Sequence, residues 1–184
     1  MMAYAHAHPL PQEQFAVVLA WLRRTLRTWS RGAVFLLALD NLGSLRAQLG
    51  RSGLAALTDA LEERLEDVCP RQGWCAQLGD GRILVVACGV GDLRGAEGII
   101  EQLVGCADAP LQVGEQHIGV DITAGLSLFP RHSRDPRTLI RMADRAAILA
   151  RNQPAYEDVS LEPSARPLKA PKQKQPQPPQ SAAL

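Results

Sequence analysis

Two short apolar runs, Trp74–Leu78 and Arg82–Val86, are separated by Gly79-Asp80-Gly81. Asp-Gly between apolar runs marks a type I′ hairpin, because that turn needs positive φ at both central residues. A hairpin here excludes a doubly wound, all-parallel sheet, whose neighbouring strands must be joined by long crossovers. Everything else in the chain has to be arranged around this antiparallel pair.

Residues 12–29 place Phe15, Val18, Leu19, Leu22, Leu26 and Trp29 on one helical stripe. Arg23, Arg24 and Arg27 fall on other faces and read as a solvated surface, with a partner- or phosphate-binding surface as the alternative. Ala33–Asp40 is a near-continuous apolar run closed by an acid, the pattern of a strand buried on both faces. A helix follows, with Leu54, Leu57, Leu61, Leu65 and Val68 inward, acids Asp59, Glu62, Glu63 and Glu66 outward, and Pro70 as its stop. Gly95–Val104 reads as a helix with Ile99, Ile100 and Leu103 inward. Leu111–Val113 and His117–Leu128 read as a second hairpin across Gly114-Glu115-Gln116. Asp135-Pro136 opens a last helix with Leu139, Ile140, Ala143, Ala147 and Ala150 on its inner face. Hairpins with interposed helices and no internal repeat give an α+β class: a central, mainly antiparallel sheet flanked by helices.

The chain has 184 residues, enough for one domain and a tail. The divisions are a flexible leader over 1–8, a folded domain over 9–157, and a Pro/Gln/Lys-rich disordered tail over 158–184. From Leu161 onward there are four basic residues against one acid, a net +3. The whole chain is +1, so residues 1–160 carry −2. The tail from Leu161 lacks aromatic and β-branched residues and cannot offset its ordering entropy. It reads as a solubilising tail or as a docking segment. No basic excess points to nucleic acid, no apolar run is long enough to span a bilayer, and no signal peptide is apparent, so a cytoplasmic location is expected. Cys69, Cys75, Cys88 and Cys106 are too scattered for a zinc site and read as reduced thiols. His6 and His8 are not read as metal ligands, and His117 and His132 have no paired nucleophile and read as core or loop residues.

The order and several segments resemble the GGDEF (diguanylate cyclase) domain. Leu10-Pro-Gln-Glu-Gln-Phe15 resembles an L-P-N-R opening. Phe35-Leu-Leu-Ala-Leu-Asp40 resembles the family's first strand and first metal-binding aspartate. Gln77-Leu-Gly-Asp-Gly-Arg-Ile83 stands where R-L-G-G-D-E-F belongs. Val120-Asp-Ile-Thr-Ala-Gly-Leu-Ser-Leu-Phe-Pro130 and Met142-Ala-Asp-Arg-Ala-Ala-Ile-Leu-Ala-Arg151 resemble the late strand and last helix. The resemblance implies the family fold, and for active members the joining of two GTP molecules into cyclic di-GMP with Mg²⁺.

The departures fall on the chemistry. Without a gap, Gly81 and Arg82 replace both acids of the signature, and Arg82 puts a cation where the metal belongs. With one glycine deleted, Asp80 becomes the third-position acid and Gly81 replaces the fourth. The stretch after Asp40 is about three residues short of the family pattern and lacks the Asn and Asp that read guanine. The inhibitory R-x-x-D is reduced to Pro70-Arg71-Gln72-Gly73, the last helix has Ile148 for Tyr, and Arg151 stands for a phosphate-contacting Lys.

The expectation is therefore a catalytically inactive GGDEF-like pseudoenzyme. It would act as a regulatory protein-interaction domain in bacterial cyclic-di-GMP-linked signalling. Its partner would be a signalling enzyme or a motility, pilus or exopolysaccharide component. The alternative is a non-catalytic sensor of GTP or cyclic di-GMP, and an active cyclase ranks third. No catalytic residue is assigned. The vestigial phosphate site is Asp40, Gly79, Asp80, Gly81, Arg82 and Arg151, with Asp40 and Asp80 the only metal candidates. No cofactor is expected, and neither Mg²⁺ nor nucleotide is expected to remain bound. The sequence does not fix the oligomeric state.

Overall fold

The computed structural model describes residues 11–152 and the two-residue strand Leu168–Lys169. The leader, His6, His8 and the rest of the tail lie outside the described residues. In chain order the elements are α1 (Pro11–Thr28), β1 (Gly32–Leu39), α2 (Leu42–Val68), β2 (Gly73–Gly79), β3 (Arg82–Cys88) and α3 (Leu93–Ala107). They continue with β4 (Leu111–Val113), β5 (Gln116–Ile118), β6 (Ile122–Phe129), α4 (Pro136–Asn152) and β7 (Leu168–Lys169).

All eight residues of β1 are buried, which is why its sequence is apolar at every position rather than at alternate ones. Successive side chains go to opposite faces. Ala33, Phe35, Leu37 and Leu39 join a core with α2 and α3. Val34 and Leu36 join a second core with α1 and α4. The sheet order is β2-β3-β1-β6-β7, with every pair antiparallel. The result is three layers, with the helix pairs α1/α4 and α2/α3 on opposite faces of one sheet.

The expected turn is present. Asp80 and Gly81 have φ of 50° and 66°, as a type I′ turn requires, and Gly79 pairs with Arg82 across it. The aspartate before Pro136 caps α4: Asp135 Oδ2 accepts from Thr138 N at 2.8 Å. Trp74 on β2 fastens α1 to the sheet. Its Nε1 donates to Thr25 Oγ1 at 3.0 Å, and its ring meets Trp21 edge-on.

Two expectations are corrected. His117–Leu128 is not one strand. It breaks at 119–121, so that β5 pairs with β4 in a separate ribbon while β6 enters the main sheet beside β1. The two halves have different partners, and period alone cannot reveal a change of partner. The helix before Val68 begins at Leu42, not near Leu54. Gly50, at φ 67° and ψ −170°, divides it, and the first segment buries only Leu45, too little to mark a stripe.

Candidate functional site

The end of β1 organises the site. Leu39 N donates to Gly81 O at 2.9 Å, which draws the β2–β3 turn against the strand end. Asp40 N donates to Asp121 O at 2.8 Å, which carries the β1–β6 register one residue further. A Cβ on Gly81 would lie 2.9 Å from Leu42 Cδ1 and 3.2 Å from Leu39 Cβ, so contact and positive φ both demand glycine. From the other side, α4 presents Asp144, Ile148 and Arg151, spaced 4 and 3 apart and so on one helical face. Together these elements enclose a cleft of about 280 Å³ whose charged lining is Asp40, Asp80, Arg82, Asp144 and Arg151.

Four of the six sequence-predicted site residues thus line one cleft, and Gly79 and Gly81 form the turn at its rim. Arg71, from the degraded inhibitory motif, does not line it. Asp40 is one-fifth exposed. Its Oδ1 accepts from Arg151 Nε at 2.5 Å, and its Oδ2 accepts from the buried Thr123 hydroxyl. Arg82 Nε lies 3.3 Å from Asp144 Oδ1. Asp80 lies 3.7 Å from Arg46 on α2, but both are largely exposed and the pair contributes little.

Sequence reasoning missed Asp144 and Thr123 as members of this cleft. A signal existed for each. Asp144 is seven residues before Arg151, and Thr123 is a hydroxyl in an otherwise apolar strand.

Mg²⁺ is the ion the reaction of the resembled family uses. Mg²⁺ takes near-octahedral oxygen ligation, with carboxylates supplying the charge. Here Asp40 and Asp144 each hold a guanidinium instead, and Asp80 is on the exposed turn. Among the described residues, no group of three or more His, Cys, Asp or Glu is placed to hold a metal. The residues do not fit the ion.

His132 takes a structural position: its Nδ1 accepts from Leu128 N at 3.0 Å, and burial, helped by Arg131, lowers its pKa. The four cysteines are free. Burial pushes Cys69 and Cys88 up to about 11, and raises Cys75 and Cys106 as well. Since the thiolate is the nucleophile, labelling of the native protein by a disulfide reagent at pH 8 is expected to be about 10²-fold slower than in urea. Rapid labelling of any one thiol in the native state would contradict this.

The family model described as "Diguanylate cyclase, GGDEF domain" matches residues 13–156. No curated protein matches the chain. The GGDEF domain of YfiN, or TpbB, from Pseudomonas aeruginosa superposes with a TM-score of 0.70 at 22% identity, over 76% of this chain and 89% of that one. A sensory box/GGDEF family protein from Caulobacter crescentus gives 0.62 at 25% identity, over 74% and 87%. The diguanylate cyclase SiaD, in complex with its activator SiaC, also from P. aeruginosa, gives 0.63 at 16% identity, over 72% of this chain and 52% of that one. Among the described residues, no helix is long and apolar enough to cross a membrane. With the family model spanning most of the chain and each neighbour sharing its fold, this chain belongs to the GGDEF domain family.

Proposed function

We propose that this protein is a catalytically inactive GGDEF domain that works as a regulatory interaction module in bacterial cyclic-di-GMP-linked signalling, in the cytoplasm. One observation carries the reading. Arg151 and Arg82 are bonded to Asp40 and Asp144 in the cleft where the family's chemistry needs a divalent cation. Phosphoryl transfer relies on positioning and charge neutralisation. Of the three carboxylates lining the cleft, two are already paired with guanidinium groups and the third, Asp80, lies on the exposed turn, so no two free carboxylates converge to hold Mg²⁺. The apolar layers around it are intact, so the scaffold persists without the chemistry. The complex of SiaD with SiaC supports the partner half of the reading, since it joins a relative of the same fold to a regulatory protein. The partner expected here is a signalling enzyme or a motility, pilus or exopolysaccharide component.

A second reading, a nucleotide sensor without Mg²⁺, is favoured by two features. Arg82 lines the cleft, and beside Asp40 the buried Oδ1 of Asn41 has no hydrogen-bond partner among the described residues. A thermal-shift titration with GTP and cyclic di-GMP, each with and without Mg²⁺, separates the readings. A ligand at 100 times its dissociation constant adds about 2.7 kcal/mol, a shift of roughly 5–10 °C for a domain of this size. The interaction module predicts no shift. A Mg²⁺-independent shift lost in Arg82→Ala would replace it with the sensor, and a Mg²⁺-dependent shift would overturn both.

A further inference from the structure

The charge of the domain is sorted by layer. Residues 11–31 and 130–152, which hold α1 and α4, carry ten arginines and no lysine against Glu13, Asp135 and Asp144, a net +7. Residues 32–129, which hold α2, α3 and most of the sheet, carry six arginines against thirteen acids, a net −7. A near-neutral chain therefore presents one strongly basic face, which its net charge of +1 conceals.

The same face holds the exposed large apolar side chains. Val17 on α1 and Met142, Ile148 and Leu149 on α4 are 37–48% exposed, and no large hydrophobic of the other described elements reaches that class. On α4 the spacing sets Arg141, Arg145 and Ile148 along one outward stripe, opposite the buried Leu139, Ala143, Ala147 and Ala150. At the C-terminal end of α1 lies a cleft of about 380 Å³ lined by Arg23, Arg27 and Arg134. Arg134 is held there by donating to Leu26 O and Ser30 O, at 3.2 and 2.8 Å. Arg23, Arg24, Arg27, Arg141 and Arg145 are exposed and belong to none of the close ion pairs of the described residues, although Asp135 at the start of α4 interacts electrostatically with Arg23.

Resting on the reading of the domain as an interaction module, we propose that the α1/α4 face is its docking surface. The occupant is an acidic protein segment with apolar side chains among its carboxylates, one carboxylate seating between Arg23, Arg27 and Arg134. Arginine and methionine with aliphatic neighbours, and no lysine, is the composition of protein interfaces, from which lysine is depleted. Nucleic-acid interfaces are more polar and would leave most of the four apolar side chains uncovered. A second copy would bring the −7 layer, but that layer has no exposed large hydrophobic to meet them. For a lipid surface the apolar stripes of both helices are already spent on the sheet.

The test uses the full chain and a fluorescent amphipathic peptide, a leucine stripe flanked by glutamates, followed by anisotropy. Polyglutamate, duplex DNA and phosphatidylglycerol vesicles are competitors. Binding is expected to be weakened at least about tenfold by R23E/R27E, since each reversal sets like charges together. It should also weaken in I148S/L149S and stay unchanged in E63K/D67K on α2. Each variant is first shown to keep the wild-type unfolding midpoint. No binding, indifference to R23E/R27E, or competition by polyglutamate, DNA or vesicles as effective as by unlabelled peptide would overturn the proposal. Self-association that R23E/R27E abolishes would assign the face to a second copy instead. A peptide that binds but responds only to E63K/D67K would move docking to α2 and leave the interaction reading standing, whereas Mg²⁺-dependent turnover of GTP would defeat that reading whatever the peptide does.

Discussion

Gly125→Val is expected to cost at least about 3 kcal/mol, at the upper end of overpacking penalties or beyond, and to lower the unfolding midpoint by about 10 °C or more. Gly125 is the point where α4 meets the sheet. A Cβ there would lie 2.0 Å from Ala143 O and 2.5 Å from Ala147 N. Both are backbone atoms of a helix turn, so no rotamer change relieves the clash. Either α4 lifts from β6 or the strand bends. Lifting α4 would open the core that it shares with α1, where Leu139, Ile140, Ala143 and Ala147 are buried. It would also disturb the buried bond from Ser127 Oγ to Leu139 O, 2.9 Å long. Gly98→Ala in α3 is the matched control: nothing lies within 4 Å of its Cβ and its φ is ordinary. The change should stabilise the helix by up to about 1 kcal/mol. Thermal or urea unfolding followed by circular dichroism reads both. A Gly125→Val protein melting within about 2 °C of wild type, less than 1 kcal/mol is worth at this size, would refute the close-approach argument.

The contrast between these two glycines shows what a sequence displays. The hairpin at Asp80-Gly81, the buried β1 and the inner faces of α1, α3 and α4 were legible because each is set by local turn chemistry or by a period. The segment 42–49 was not, because its single buried residue, Leu45, makes no stripe. The break at 119–121 was not, because strand pattern does not say with which neighbour a strand pairs. In the cleft, Asp40, Asp80, Arg82 and Arg151 were legible as positions through the family pattern. Which charges meet was not. Arg151 and Asp40 are 111 residues apart, and Asp144 becomes a partner of Arg82 only when α4 packs across β6 and β1. The sorting of charge by layer is hidden for the same reason: α1 and α4 stand at opposite ends of the folded chain, and topology puts them on one face.

Under the proposed reading, the protein supplied with GTP and Mg²⁺ forms no cyclic di-GMP above an enzyme-free blank, while an active diguanylate cyclase in the same buffer does. The size of the deficit follows from the charge that is missing. Metal ions contribute several kcal/mol of transition-state charge stabilisation, and about 4 kcal/mol is already on the order of 10³ in rate. Arginine does not restore it. Arg82 and Arg151 are cations, but each is engaged by a carboxylate of the cleft, so their charge is spent locally. Nor does freeing the carboxylates restore it. In Arg151→Ala, Asp40 loses its 2.5 Å partner, yet the signature positions Gly81 and Arg82 still bring no acid. A side chain at Gly81 would be strained by its φ of 66° and pressed on Leu42 and Leu39. Arg151→Ala and Asp40→Ala should therefore both match the blank. Product that appears with Mg²⁺ and disappears in Asp40→Ala would mean that Asp40 exchanges its guanidinium for a metal when nucleotide arrives, and the domain would have to be counted among the working cyclases.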